Sequence, residues 1–155
     1  MRQTAISLRA RCMALATLVF LSATQVLAGP VDPVNKTGHG VAVKGYDVVA
    51  YFKQGKPVKG SAQFSTSWMG AAWWFTSSED RDAFVAKPEQ YAPQYGGYCS
   101  WAVSKGYTAE IDPEAWRIID GKLYLNYSKD VQRKWAEDVQ KRIAEANKNW
   151  PGLHK

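Results

Sequence analysis

Trp116-Arg117-Ile118-Ile119-Asp120-Gly121-Lys122-Leu123-Tyr124-Leu125-Asn126-Tyr127 decides the fold class of this chain. Two runs of β-branched, aliphatic and aromatic residues flank Asp-Gly, a pair that suits the two positive φ angles of a tight hairpin turn. Ser128 follows as a helix cap, with Asp130 in the first turn, where the helix dipole favours an acid. Val131, Trp135, Val139 and Ile143 then recur every four residues, which predicts a long amphipathic C-terminal helix with one face on a core. Glu137–Lys141 and Asp138–Arg142 are spaced as i,i+4 pairs, and Pro151 is expected to stop the helix.

The same plan recurs upstream without the same sequence. Phe64 to Trp68 alternates apolar and polar residues, Met69-Gly70 marks a turn region, and Ala71 to Thr76 continues through Trp73-Trp74-Phe75. Ser77 or Ser78 caps a helix that carries Glu79 and Asp80 in its first turn, buries Phe84 and ends near Lys87, before Pro88. Tyr46 to Phe52 is either one helical turn capped by Asp47 or a short strand, and Tyr98 to Val103 is equally open. Two hairpins alternating with helices predict an antiparallel-rich α+β fold in one compact domain.

Residues 1–28 read as an export signal. Arg2, Arg9 and Arg11 precede an apolar run from Met13 to Leu21, and Val26-Leu27-Ala28 suits cleavage ahead of Gly29. The apolar run is shorter than the ~20 residues of a membrane span. Cleavage leaves 127 residues with 17 basic side chains against 14 acidic, so the formal charge falls from +6 to +3. The remaining lysines are dispersed or mixed with acids, which argues against nucleic acid as a partner. Residues 29–38, rich in Pro, Gly and Asn, read as a flexible lead-in, and residues 39–155 as the domain. The expected location is periplasmic or secreted.

The pattern resembles the YHS domain family, in particular its small exported members. The resemblance rests on Gly45-Tyr46-Asp47-Val48-Val49-Ala50-Tyr51-Phe52, Trp73-Trp74-Phe75-Thr76-Ser77, Phe84 with Pro88-Glu89-Gln90-Tyr91, and Gly97-Tyr98-Cys99-Ser100. Asp112-Pro113, the Asp120–Tyr127 block and Asn149-Trp150-Pro151 extend it over roughly residues 40–152. It implies a compact α+β fold of a kind found beside metal-transporting ATPases and in metal-handling or oxygenase-related proteins. In metal-associated relatives an aromatic strand runs into a helix bearing ligand cysteines. Here that segment is Phe75-Thr76-Ser77-Ser78-Glu79-Asp80, without cysteine.

Cys99 is the one cysteine beyond the signal, so an internal disulfide and multi-cysteine zinc sites are excluded for the processed chain. It is either a small buried apolar residue or a functional thiol. Tyr95, Tyr98, Trp101 and Tyr107 are candidates to wall a ligand pocket around it. A soft metal, copper or zinc, would draw on Cys99 with His39, and with Met69 or His154. Asp47 is better explained as a cap, and Asp112 before Pro113 as a turn residue. No phosphate-cradling glycine loop is present. The reading is an exported binding or sensing module for a small molecule or soft metal ion. The alternatives are a thiol-dependent enzyme or redox protein using Cys99, and a protein-interaction domain linked through it.

Overall fold

The computed structural model describes residues 30–154, so the expected signal segment lies outside the described residues. The fold is α+β, with two antiparallel hairpins, each followed by a serine-capped helix. The first unit comprises β1 (Ser61–Trp68), β2 (Ala71–Phe75) and α2 (Ser78–Ala86), preceded by α1 (Val48–Lys53). The second comprises β3 (Asp112–Ile119), β4 (Lys122–Asn126) and α5 (Lys129–Ala136), followed by α6 (Val139–Leu153). The short helices α3 (Pro88–Tyr91) and α4 (Ser100–Ser104) connect them. Among the described residues, no helix is long and apolar enough to cross a membrane.

The caps follow from chemistry readable in the chain. Ser77 Oγ accepts the backbone N–H of Asp80 at 3.1 Å, and Ser128 Oγ accepts that of Val131 at 3.2 Å. The ambiguous Tyr46–Phe52 run is a helix because Asp47 Oδ1 accepts the N–H groups of Val49 (2.8 Å) and Ala50 (3.2 Å). Asp47 Oδ2 accepts the backbone N–H of Thr76 at 2.8 Å and its hydroxyl at 2.9 Å, which ties α1 to the end of β2. Tyr51 on α1 donates its hydroxyl to Pro113 O at 2.9 Å and meets Trp116 edge-on at 5.2 Å, so α1 also fastens β3.

β4 is the wall between two apolar clusters. Leu123 and Leu125 belong to one, with Trp73, Phe75, Phe84 and the α1 valines; Tyr124, between them, belongs to the other, with Tyr95, Val103, Trp135 and Ala146. That split is the period-2 alternation of a strand buried on both faces. In the first cluster Phe84 stacks on Trp73 at 5.0 Å and touches Trp68 and Phe75 at 5.7 and 5.2 Å.

Three expectations change. The C-terminal stripe spans two helices rather than one, because Asp138 leaves helical geometry at φ −144°, ψ 60°. The chain therefore turns between Glu137 and Val139, and the ion pairs that form are Arg142–Glu145 and Arg133–Asp130 instead of the expected i,i+4 pairs. Pro151 does not stop α6, which runs to Leu153; in the last turn proline forfeits little beyond its own missing N–H bond. The lead-in is packed rather than loose. Val34 is 2% exposed, and Asn35 donates its backbone N–H to Gly96 O (2.8 Å) and Nδ2 to Gly97 O (3.2 Å).

Candidate functional site

The Gly-Gly-Tyr-Cys-Ser-Trp segment turns sharply before it becomes helical. Tyr95, Gly96 and Gly97 stand at φ 57°, 61° and 81°, a left-handed run that two glycines make affordable. It delivers Cys99 to the N-cap position of α4. The loop after α4 folds back: Tyr107 N donates to Ala102 O at 3.2 Å, and Cys99 N to Ala109 O at 3.0 Å. This return places Tyr107 and Ala109 opposite α4. Tyr127 and Val131, from the end of β4 and the start of α5, close the other side.

The result is a recess of about 270 Å³ lined by Cys99, Trp101, Ala102, Tyr107, Ala109, Tyr127 and Val131. Its lining is almost wholly aromatic or aliphatic. Cys99 is buried, whereas Tyr107 and Tyr127 are more than half exposed and form the rim. Trp101 is held by cations: the Arg142 guanidinium lies 4.5 Å and the Lys105 ammonium 5.0 Å from its ring centre.

The thiol is shielded and neutral. Tyr127 N donates to Sγ at 3.3 Å, and the S–H reaches Asn126 Oδ1 as a weak donor at 3.9 Å. Burial pushes the Cys99 thiol up, and backbone N–H groups of Ala102, Tyr127 and Trp101 pull it only partway back. Asn126 is itself fully buried, and its orientation is determined: Oδ1 accepts Trp101 N at 3.2 Å, which Nδ2 could not do. Asn126 Nδ2 and Ser100 Oγ are left without protein partners among the described residues.

Of the residues expected to bind a ligand, Cys99, Trp101 and Tyr107 come together. Tyr95 and Tyr98 do not join them. Tyr95 packs between Tyr124 (6.0 Å) and Trp150 (6.1 Å) and donates its hydroxyl to Asn147 Oδ1 at 3.0 Å; Tyr98 meets Trp150 at 5.9 Å. The expected metal pair of Cys99 and His39 is not assembled either. His39 sits in an exposed turn between Thr37 and Gly40, and no three His, Cys, Asp or Glu side chains gather as a metal group among the described residues. Met69 and His154, named as further sulfur and nitrogen donors, line a different cavity from Cys99.

Ala102, Ala109, Tyr127 and Val131 are the lining residues that reading the sequence misses. Tyr127 and Val131 read as hairpin end and helix stripe, and nothing local links them to a loop about 20 residues earlier. Comparison with family models, with curated proteins and with solved structures finds no match.

Proposed function

We propose that this chain is an exported, YHS-like binding module that holds a small, flat, apolar or aromatic molecule in the Cys99 recess. The observation that carries the reading is the recess itself: a concave apolar site with a neutral thiol at its floor, a clamped indole on one wall and two tyrosine hydroxyls at its rim. At about 270 Å³ it lies just below the usual range of ligand-site volumes, which suits a guest of one ring or two fused rings. Tyr107 and Tyr127 offer flat faces and hydroxyls for orienting such a guest.

Burial of Cys99 speaks for binding over the alternatives. A nucleophilic cysteine needs thiolate character and an adjacent base, whereas this thiol is pushed up and neither histidine lines its recess. A thiol that is 1% exposed is also poorly placed to link two chains. Export rests on the segment before Gly29, and the YHS-like assignment on the ordered blocks from Gly45 to Pro151.

The test is native mass spectrometry of the protein beside Ala109→Leu, which fills the recess. A small-molecule adduct on the wild-type protein that the variant lacks supports the reading. Equal adduct on both, or none on either after exposure to a library of aromatic molecules, overturns it.

A further inference from the structure

The two hairpin turns share a backbone and differ in chemistry. At the β3–β4 turn Asp120 and Gly121 have φ 49° and 71°; at the β1–β2 turn Met69 and Gly70 have φ 48° and 72°. Both are two-residue loops, with Ile119 paired to Lys122 and Trp68 to Ala71. The first position of such a turn favours Asn, Asp or Gly, whose short polar or absent side chains tolerate left-handed backbone. Methionine has neither advantage, and Met69 is 50% exposed, so burial does not explain it. A residue that breaks a local rule without compensation from packing points to a role for its side chain.

Met69 faces a cavity of about 170 Å³, between the β1–β2 turn, the lead-in at Pro33–Val34 and the end of α6. His154 and the indoles of Trp68, Trp73 and Trp150 line the same cavity. His154 is oriented from two sides. Its ring stacks on Trp150 at 4.3 Å and 12°, and Nδ1 lies 2.8 Å from Trp150 O. A carbonyl oxygen only accepts, so Nδ1 carries the proton and the lone pair sits on Nε2. Metal-binding histidines are commonly oriented in this way, by a backbone acceptor on the nitrogen that does not coordinate. The end of the chain is fastened as well: Val31 bridges to His154, and Val31 N donates to Leu153 O at 2.9 Å.

The lining determines which guest fits. Five of its ten residues, Pro33, Val34, Ala92, Pro93 and Gly96, carry no donor side chain; the others supply one thioether, one imidazole and three indoles, with no carboxylate and no cationic side chain. Calcium and magnesium need several oxygen ligands, and zinc sites in proteins are built from cysteine, histidine and carboxylates, almost always four-coordinate. Anions find no basic partner. Sulfur and imidazole donors suit Cu(I), and indole faces favour a cation further. We propose that Met69 Sδ and His154 Nε2 form a Cu(I) site walled by the indoles of Trp68 and Trp150. This site is independent of the Cys99 recess and does not use Cys99 or His39.

The test is an anaerobic titration of the protein against the Cu(I)–bicinchoninate complex, read by loss of the chelate's absorbance and by tryptophan fluorescence. The wild-type protein is expected to withdraw one Cu(I) per chain and quench. Met69→Asn and His154→Gln should each weaken binding about ten-fold or more, since each removes one of two ligands. Met69→Asn also suits the turn backbone, so its melting temperature should rise while binding falls, which separates a lost ligand from a lost fold. Cys99→Ser should bind as the wild type. The proposal is overturned if the wild-type protein withdraws no copper, if the Met69 and His154 variants bind normally, or if Cys99→Ser abolishes binding. It is equally overturned if tetramethylammonium quenches the tryptophans in both the wild type and Met69→Asn while Cu(I) does not, which would mark an aromatic cage for organic cations.

Discussion

The backbone N–H of Tyr127 points at Cys99 Sγ from 3.3 Å, joining the end of β4 to the start of α4. With Asn126 Oδ1 on the same sulfur, the thiol is held against the end of β4, and Cys99 is left 1% exposed. Iodoacetamide near neutral pH should therefore modify Cys99 at least about a hundred-fold more slowly in the native protein than in denaturant. The raised thiol works in the same direction, because less thiolate is present at a given pH. Comparable native and denatured rates would show an exposed, reactive cysteine instead.

Asp47 is fully buried with four N–H and O–H contacts on its two oxygens. Asp47→Asn must turn an NH₂ toward either the α1 amides or Thr76, so it should destabilise the fold by about 1–3 kcal/mol in urea unfolding. Burial, and secondarily the charge of Asp80, raises the Asp47 carboxyl above its ordinary 3.8, against the pull of Thr76 and Val49. The folded state thus holds this proton more tightly than the unfolded chain. Its stabilising contribution is complete below pH 3.8 and is lost as pH rises through the raised value. The wild type's advantage over Asp47→Asn should accordingly shrink as pH climbs through that window; an advantage that grows would contradict the assignment.

Gly96 stands at φ +61°, and a Cβ there would lie 2.0 Å from Pro33 O. Gly96→Ala should push the lead-in off, lower stability by about 2 kcal/mol or more, and speed hydrogen exchange at the Asn35 amide, which donates to Gly96 O. Gly121→Ala is the control, since its backbone is also left-handed but nothing lies within 4 Å of the added carbon. It should cost about 1–2 kcal/mol and leave Asn35 exchange unchanged.

Phe84 and Trp135 are both completely buried, yet their substitutions should differ. Phe84→Ala opens a hole among Trp68, Trp73 and Phe75 and should cost about 3–5 kcal/mol. Trp135→Phe loses volume but also removes an Nε1–H that has no acceptor among the described residues, so its cost should stay below about 1.5 kcal/mol. Thermal melts of the two variants check the contrast.

How much was legible in the sequence depended on whether the deciding interaction was local. Asp120-Gly121 announces its turn because two adjacent residues set its backbone, and Ser77 and Ser128 announce their helices for the same reason. Tyr46 to Phe52 stayed open because a run that short has no usable period; the hydroxyl and amide of Thr76, 29 residues away, complete the Asp47 contacts that hold its helix in place. The lead-in looks loose by composition, and what packs it is distant in sequence: the burial of Val34, the Asn35 bonds to Gly96 and Gly97, and the close approach of Gly96 to Pro33. The break at Asp138 is hidden because Trp135, Val139 and Ile143 all still face the second cluster. The recess was half visible: Cys99, Trp101 and Tyr107 are near in sequence, whereas Tyr127 and Val131 reach it only through the β3–β4 pairing and α5.

The most direct measurement of the binding account is a two-dimensional amide NMR titration with a library of small aromatic molecules. The account predicts at least one molecule that saturably shifts the amides of Ala102, Tyr107 and Ala109 and the indole N–H of Trp101, slows Cys99 alkylation further, and has no such effect on Ala109→Leu. Shifts confined to residues outside the recess, or shifts that persist unchanged in Ala109→Leu, would contradict it.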